Sequence, residues 1–130
     1  MRNFQELKVW QKAHSLTLDV YRSSQRFPAN EQYGLTSQVR RACVSIEANI
    51  AEGCGRRSER EFSRFLRIAM GSATEVECHL LIARDLDMLD MIAFQRCSST
   101  LDEVKRMLHA LLDRVSAGEQ ESAEGHSAGA

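Results

Sequence analysis

The chain has 130 residues, 43% of them hydrophobic and 27% charged, with a formal net charge of −1. That length buries a real core without disulfide or metal staples. The near-neutral balance excludes a chain that acts as one diffuse electrostatic magnet for nucleic acid or membrane, and a single proline (Pro28) with two tyrosines argues against a β-rich fold.

The charge is unevenly placed. Ser116 to Ala130 holds Glu119, Glu121 and Glu124 and no Lys or Arg, which leaves a body of 17 basic and 15 acidic residues. Most of the basic residues are arginine, suited to two-pronged contacts with carboxylate or phosphate. The four cysteines, Cys43, Cys54, Cys78 and Cys97, show no C-x-x-C spacing. Met1 to Glu6 has no apolar stretch of the secretory kind, and no apolar run approaches the ~18 residues of a membrane span. The expectation is a cytoplasmic protein with reduced thiols and no membrane partner.

The first periodic segment runs from about Phe4 to Arg26. Val9, Ala13, Leu16 and Val20 alternate steps of four and three, one face of a helix, and Phe27-Pro28 stops it. Asn30 is the expected N-cap of a second helix, with Leu35, Val39, Ala42, Ile46 and Ile50 as its buried stripe. Gly53-Cys54-Gly55 is expected to end it through a left-handed residue. Ser58 and Glu61 form an S-x-x-E capping box that opens a third helix, whose stripe runs through Phe62, Phe65, Leu66, Ala69, Ala73, Val76, Leu80 and Ala83 to about Leu86. Gly71-Ser72-Ala73 predicts close approach of a neighbouring helix. After a turn near Leu89-Asp90, a fourth helix carries Phe94, Cys97, Leu101, Val104, Leu108, Leu111 and Val115 in strict 3-4 alternation, the pattern of left-handed bundle packing. Short connections favour an all-α, antiparallel up-down-up-down four-helix bundle over residues 1–115. Residues 116–130 cannot bury a core and are expected to form a disordered acidic tail.

Several stretches resemble one family: Leu7-Lys8-Val9-Trp10-Gln11-Lys12-Ala13, Phe27-Pro28 with Glu31 and Tyr33-Gly34-Leu35, and Gln38-Val39-Arg40-Arg41-Ala42. Ser45-Ile46, Asn49-Ile50-Ala51-Glu52-Gly53, Gly55-Arg56, Phe65-Leu66 and Gly71-Ser72 followed by Glu75 and Glu77 add to them. The chain resembles the four-helix bundle proteins encoded in intervening sequences of bacterial 23S ribosomal RNA genes. The block from Arg40 to Arg56 is the most specific. The resemblance implies a homopentameric bundle of undetermined molecular role. A related branch, the accessory variability protein of diversity-generating retroelements, implies a reverse transcriptase and nucleic acid as partners. Those proteins are strongly basic, and this chain is not.

Among polar residues the arginines carry the most information. Arg57, Arg60, Arg64 and Arg67 recur at steps of three, four and three, roughly opposite the apolar stripe of their helix. Arg56 borders this ridge, and Arg40 and Arg41 add charge on the preceding helix. Guanidinium forks match phosphate, so RNA is one candidate partner; a solvated face, or pairing with acids of a protein partner or second subunit, is the other. Stacking aromatics are missing from the ridge, which disfavours single-strand reading. Asn49 and Glu52 are expected to fix helix register, and Trp10, Tyr21 and Tyr33 to serve as core or as interface anchors.

Catalysis finds no foothold. Di-metal bundles use Glu-x-x-His, but Glu75 and His79 are four apart and Arg106 precedes His109 by three. Adjacent Cys78 and His79 diverge by about 100° on a helix. Gly53 to Ser58 lacks phosphate-loop spacing, and His14 and His109 are expected to be hydrogen-bonded structural histidines. With the homopentameric assembly that the resemblance implies, the expectation is a non-enzymatic, self-associating bundle that serves as scaffold or adaptor, with no metal, cofactor or small-molecule substrate. RNA binding by the arginine ridge is the alternative.

Overall fold

The computed structural model describes residues 2–128, with side chains described as far as Gly118. Among these residues there are four α-helices and no strand: α1 (Lys8–Ser24), α2 (Leu35–Cys54), α3 (Glu59–Asp85) and α4 (Met91–Ala128). Single 3-10 turns cover Phe4–Glu6 and Ala29–Glu31. Helices adjacent in sequence pack on each other, and α1 and α4 close the ring, with the diagonal backbones farther apart.

Every contact is antiparallel. His14 Nδ1 meets Glu47 Oε2 at 3.0 Å, and the Thr17 hydroxyl donates to the Cys43 carbonyl at 3.4 Å, so α1 and α2 run in opposite directions. Glu77 accepts from Lys105 at 3.0 Å, and Arg84 lies over Phe94, giving the same sense to α3 and α4. Lys12 and Glu103, 2.9 Å apart, tie α1 to α4. This is the up-down-up-down bundle the 3-4 spacing predicts.

The stripes meet in one core. Phe62, Leu16, Ile46, Ile50, Leu66, Leu101 and Leu108 are its largest fully buried side chains. Each stabilises the fold by about 1.5–3 kcal/mol relative to exposure.

Helix ends depart from the sequence expectation in instructive ways. Asn30 lies inside the 3-10 turn and caps nothing; the Glu31 carboxylate accepts from the Leu35 N–H at 3.0 Å instead. A glutamate four residues upstream does this because its longer side chain spans the extra turn. α1 stops at Ser24, three residues short of Phe27. α2 includes Gly53, and Gly55 has φ −84°, so no left-handed glycine ends it. The left-handed residue is Asp87 (φ 58°) after α3. There Met88 N–H donates to Ala83 O and Asp87 N–H to Arg84 O, which is a Schellman closure. Asp90 then caps α4 through the Ala93 N–H at 2.8 Å.

The fourth helix passes Val115, where the sequence places the end of the bundle and the start of a disordered tail, and continues to Ala128. Val115 is the last buried residue of those whose side chains are described. Gly129 and Ala130 lie outside the described residues.

Candidate macromolecule-binding face

The α2–α3 hairpin presents the outer face on which the sequence places its arginines. Its register is set by Ser45 and Ser72, whose hydroxyl oxygens are 2.8 Å apart across the two helices. Asn49 steadies this contact by donating to the Ser45 carbonyl at 2.8 Å and to its hydroxyl at 3.0 Å. Asn49 thus acts within its own helix, and Ser45 makes the crossing.

At helical spacing, Arg41, Val44 and Ala48 of α2 fall on the outer side of that line, and Ile68, Gly71 and Glu75 of α3 fall on the same side. All six are exposed, and Val44 and Ile68 each keep 41% of their surface in water. Gly71 has nothing within 4 Å of where a Cβ would stand. The close approach expected at Gly71-Ser72-Ala73 is made by Ser72, which meets Ser45, and by the buried Ala73, while Gly71 itself faces outward.

Gly53 is a second close approach. A Cβ on it would lie 2.9 Å from Phe62 Cδ1 and 3.0 Å from Phe65 Cβ. The absent side chain lets the end of α2 lie directly on the start of α3. Ser58 opens α3 by accepting from the Glu61 N–H at 3.1 Å. The Glu61 carboxylate turns to Arg64 at 3.4 Å rather than back to the cap.

The ridge divides into engaged and free arginines. Arg64 and Arg56 place their guanidinium carbons 4.7 and 4.8 Å from the Phe65 ring centroid, and Arg56 also lies 3.9 Å from Glu52. Arg57, Arg60 and Arg67 are exposed and make no side-chain hydrogen bond or ion pair among the described residues.

Arg40 and Arg41 are not part of the ridge. Arg40 donates to Ser24 Oγ at 2.8 Å and to the Tyr21 carbonyl at 3.3 Å, with its guanidinium over the Tyr21 ring. It pins the end of α1 to α2. With Ser45 opposite Ser72, Arg67 stands level with about Ile50, so roughly 15 Å of helix separates Arg40 and Arg41 from the near end of the ridge.

Two features escape sequence reasoning. Arg2 reaches Glu59 at 2.8 Å and lies 4.3 Å from the Phe62 ring centroid, while its N–H donates to Cys54 O. The chain start thereby clamps the α2–α3 turn, a contact between residues 57 apart that no local pattern announces. Trp10 stacks on His14 with centroids 4.9 Å apart and planes 9° from parallel, and Phe4 meets it edge-on. Trp10 is therefore half-buried packing; Tyr33 is 91% exposed. His14 is hydrogen-bonded as expected, whereas His109 is exposed.

Groups able to do chemistry stay apart. Burial pushes the thiols of Cys43, Cys54 and Cys97 up, with Cys97 adding to the effect at Cys43 and Arg2 opposing it at Cys54. His79 is buried, its Nδ1 without a partner and its Nε2 4.0 Å from Glu75. No three His, Cys, Asp or Glu residues among those described form a metal-binding group. No described helix is long and apolar enough to cross a membrane.

The family model described as 23S rRNA-intervening sequence protein matches residues 5–110. The chain belongs to that family. The match spans all of α1, α2 and α3 and about half of α4, the whole hairpin face included. The bundle is also similar to the crystal structure of a protein of unknown function from the S23 ribosomal protein family of Bacteroides thetaiotaomicron VPI-5482. That likeness has a TM-score of 0.71 at 23% identity, over 80% of this chain and 97% of the other. At that identity it speaks for the shared fold. No curated protein matches the chain. The family description names no reaction.

Proposed function

We propose that this intervening-sequence protein is a non-enzymatic, self-associating bundle that serves as scaffold or adaptor for another macromolecule. The observation that carries this reading is the α2–α3 outer face. Exposed Val44 and Ile68, with Gly71 left bare between them, adjoin three arginines that have no partner among the described residues. A bare glycine in a helix costs about 1 kcal/mol against alanine, a cost that close packing by a second copy would offset. Five subunits is the number the resemblance carries. A ring of that order would multiply a weak contact per subunit through avidity. The cytoplasm is the compartment that suits unpaired, buried thiols.

A second reading is supported by Arg57, Arg60 and Arg67 themselves. With Arg60 and Arg67 on α3, Arg57 just before it, and no acid engaging them among the described residues, they suit the phosphates of a structured RNA, alone or beside a reverse transcriptase. Light scattering after size exclusion, with and without structured RNA at low salt, tests both. A multimer that shifts with RNA, and stops shifting as salt rises, supports the RNA reading. A multimer indifferent to RNA leaves the scaffold and sends the search to protein partners. A monomer that Ile68→Asp leaves unchanged overturns self-association.

A further inference from the structure

The bundle end away from the Gly53 turn holds an open cavity of about 580 Å³ between the last turn of α1 and the start of α4. Arg22 and Arg26 form one wall and Arg96 the other, while Met88, Met91 and Ile92 supply apolar lining. Met91 and Ile92 are 55% and 76% exposed, so two large apolar side chains face water beside three cations.

The acids nearby offset only part of this charge. Asp90 lines the cavity, but one carboxylate oxygen is held by the Ala93 N–H at 2.8 Å. Asp19 pairs with Arg22 at 3.9 Å. Arg26 and Arg96 have no side-chain hydrogen bond or ion pair among the described residues.

We propose that this cavity binds a small organic anion that joins one carboxylate or phosphate to a short apolar chain. The guanidinium groups supply planar, charged donors for the anionic head. The tail covers Met88, Met91 and Ile92 and releases water from them. The volume lies within the ~300–1,000 Å³ of ordinary ligand pockets, which are mostly apolar with a few polar groups that orient the ligand. Charge complementarity selects the head and the apolar lining selects the tail, so neither half alone uses the site. The cavity shares no residue with the α2–α3 face, and its occupancy is independent of what that face binds.

The test is an amide chemical-shift titration of the full chain with octyl phosphate below its micelle concentration, alongside inorganic phosphate and 1-octanol. Saturable shifts confined to residues 22–26 and 88–96, at concentrations at least tenfold lower for octyl phosphate than for either half, are expected. Arg26→Glu with Arg96→Glu should abolish them while leaving the circular dichroism spectrum and Tm unchanged, because both side chains are exposed. The proposal is overturned by any of three results: shifts absent or spread over the surface, equal response to inorganic phosphate, or shifts that persist in the double variant.

Discussion

Gly53 and Phe62 define the tightest joint of the hairpin: a Cβ on the glycine would stand 2.9 Å from Cδ1 of a fully buried ring. Neither the ring nor the nearby Phe65 backbone-proximal Cβ can swing aside as a flexible side-chain tip would. Gly53→Ala gains about 1 kcal/mol of helix propensity but forces a shift in a packed core, which typically costs about 1–3 kcal/mol. The expected net result is a lower urea midpoint with an unchanged m-value.

Gly71 gives the opposite sign. It is helical and exposed with open space around it, so Gly71→Ala should stabilise the isolated subunit by about 0.5–1 kcal/mol. If this face packs against a second copy, the same methyl group obstructs the contact. The expected outcome is a higher unfolding midpoint at low protein concentration together with weaker self-association by light scattering. A stabilised variant that associates normally would move the subunit contact elsewhere.

The arginines separate by what they touch. Arg40→Ala removes two hydrogen bonds and a ring contact that pin α1 to α2, and should cost about 1–3 kcal/mol. It should leave partner binding intact. Arg57→Glu with Arg60→Glu and Arg67→Glu should do the reverse: stability within about 0.5 kcal/mol per site of the parent, and loss of salt-dependent RNA binding where that binding exists. Paired denaturation and filter-binding measurements on the two variants check both halves.

Asp87 occupies the left-handed position of the Schellman closure, where glycine has no steric penalty. Asp87→Gly should raise stability by a few tenths to about 1 kcal/mol, less whatever backbone entropy the glycine adds to the unfolded chain. A thermal scan at fixed pH measures it; a clear fall in Tm would mean that the aspartate side chain stabilises the turn by itself.

The four stripes were legible because burial imposes their 3-4 spacing directly, and every stripe residue from Val9 to Ala83 lies in the core. Turn chemistry was less legible because it depends on which of several nearby polar groups reaches an orphan N–H. Glu31 rather than Asn30 caps α2, and Asp87 rather than a glycine takes the positive φ. At Gly53 the glycine itself stood out, but its use as a contact rather than a turn follows from where Phe62 lands, which no spacing states. The candidate face was half legible. Helical phase gives the ridge, yet Arg64 and Arg56 are drawn onto Phe65, and Arg40 is taken up by α1, through contacts that exist only once the helices are packed.

The thiols yield a prediction with a definite sign. Burial raises the Cys43, Cys54 and Cys97 thiols in the fold, while Cys78 is exposed. The thiolate is the reacting species, so an aromatic disulfide reagent at pH 8 should label one cysteine quickly in the native chain and all four in denaturant. In the unfolded chain these thiols ionise near the ordinary value of about 8.5. Below that pH both states hold the protons, and the stability conferred by the raised values is fully present. Above it the unfolded chain releases protons that the folded chain keeps, so stability falls as pH rises. The urea midpoint should therefore decline above about pH 9. The deciding measurement is the slope in Cys43→Ala, which should be shallower than in the parent even though the variant starts from a lower midpoint. Equal slopes would mean that Cys43 ionises alike in both states.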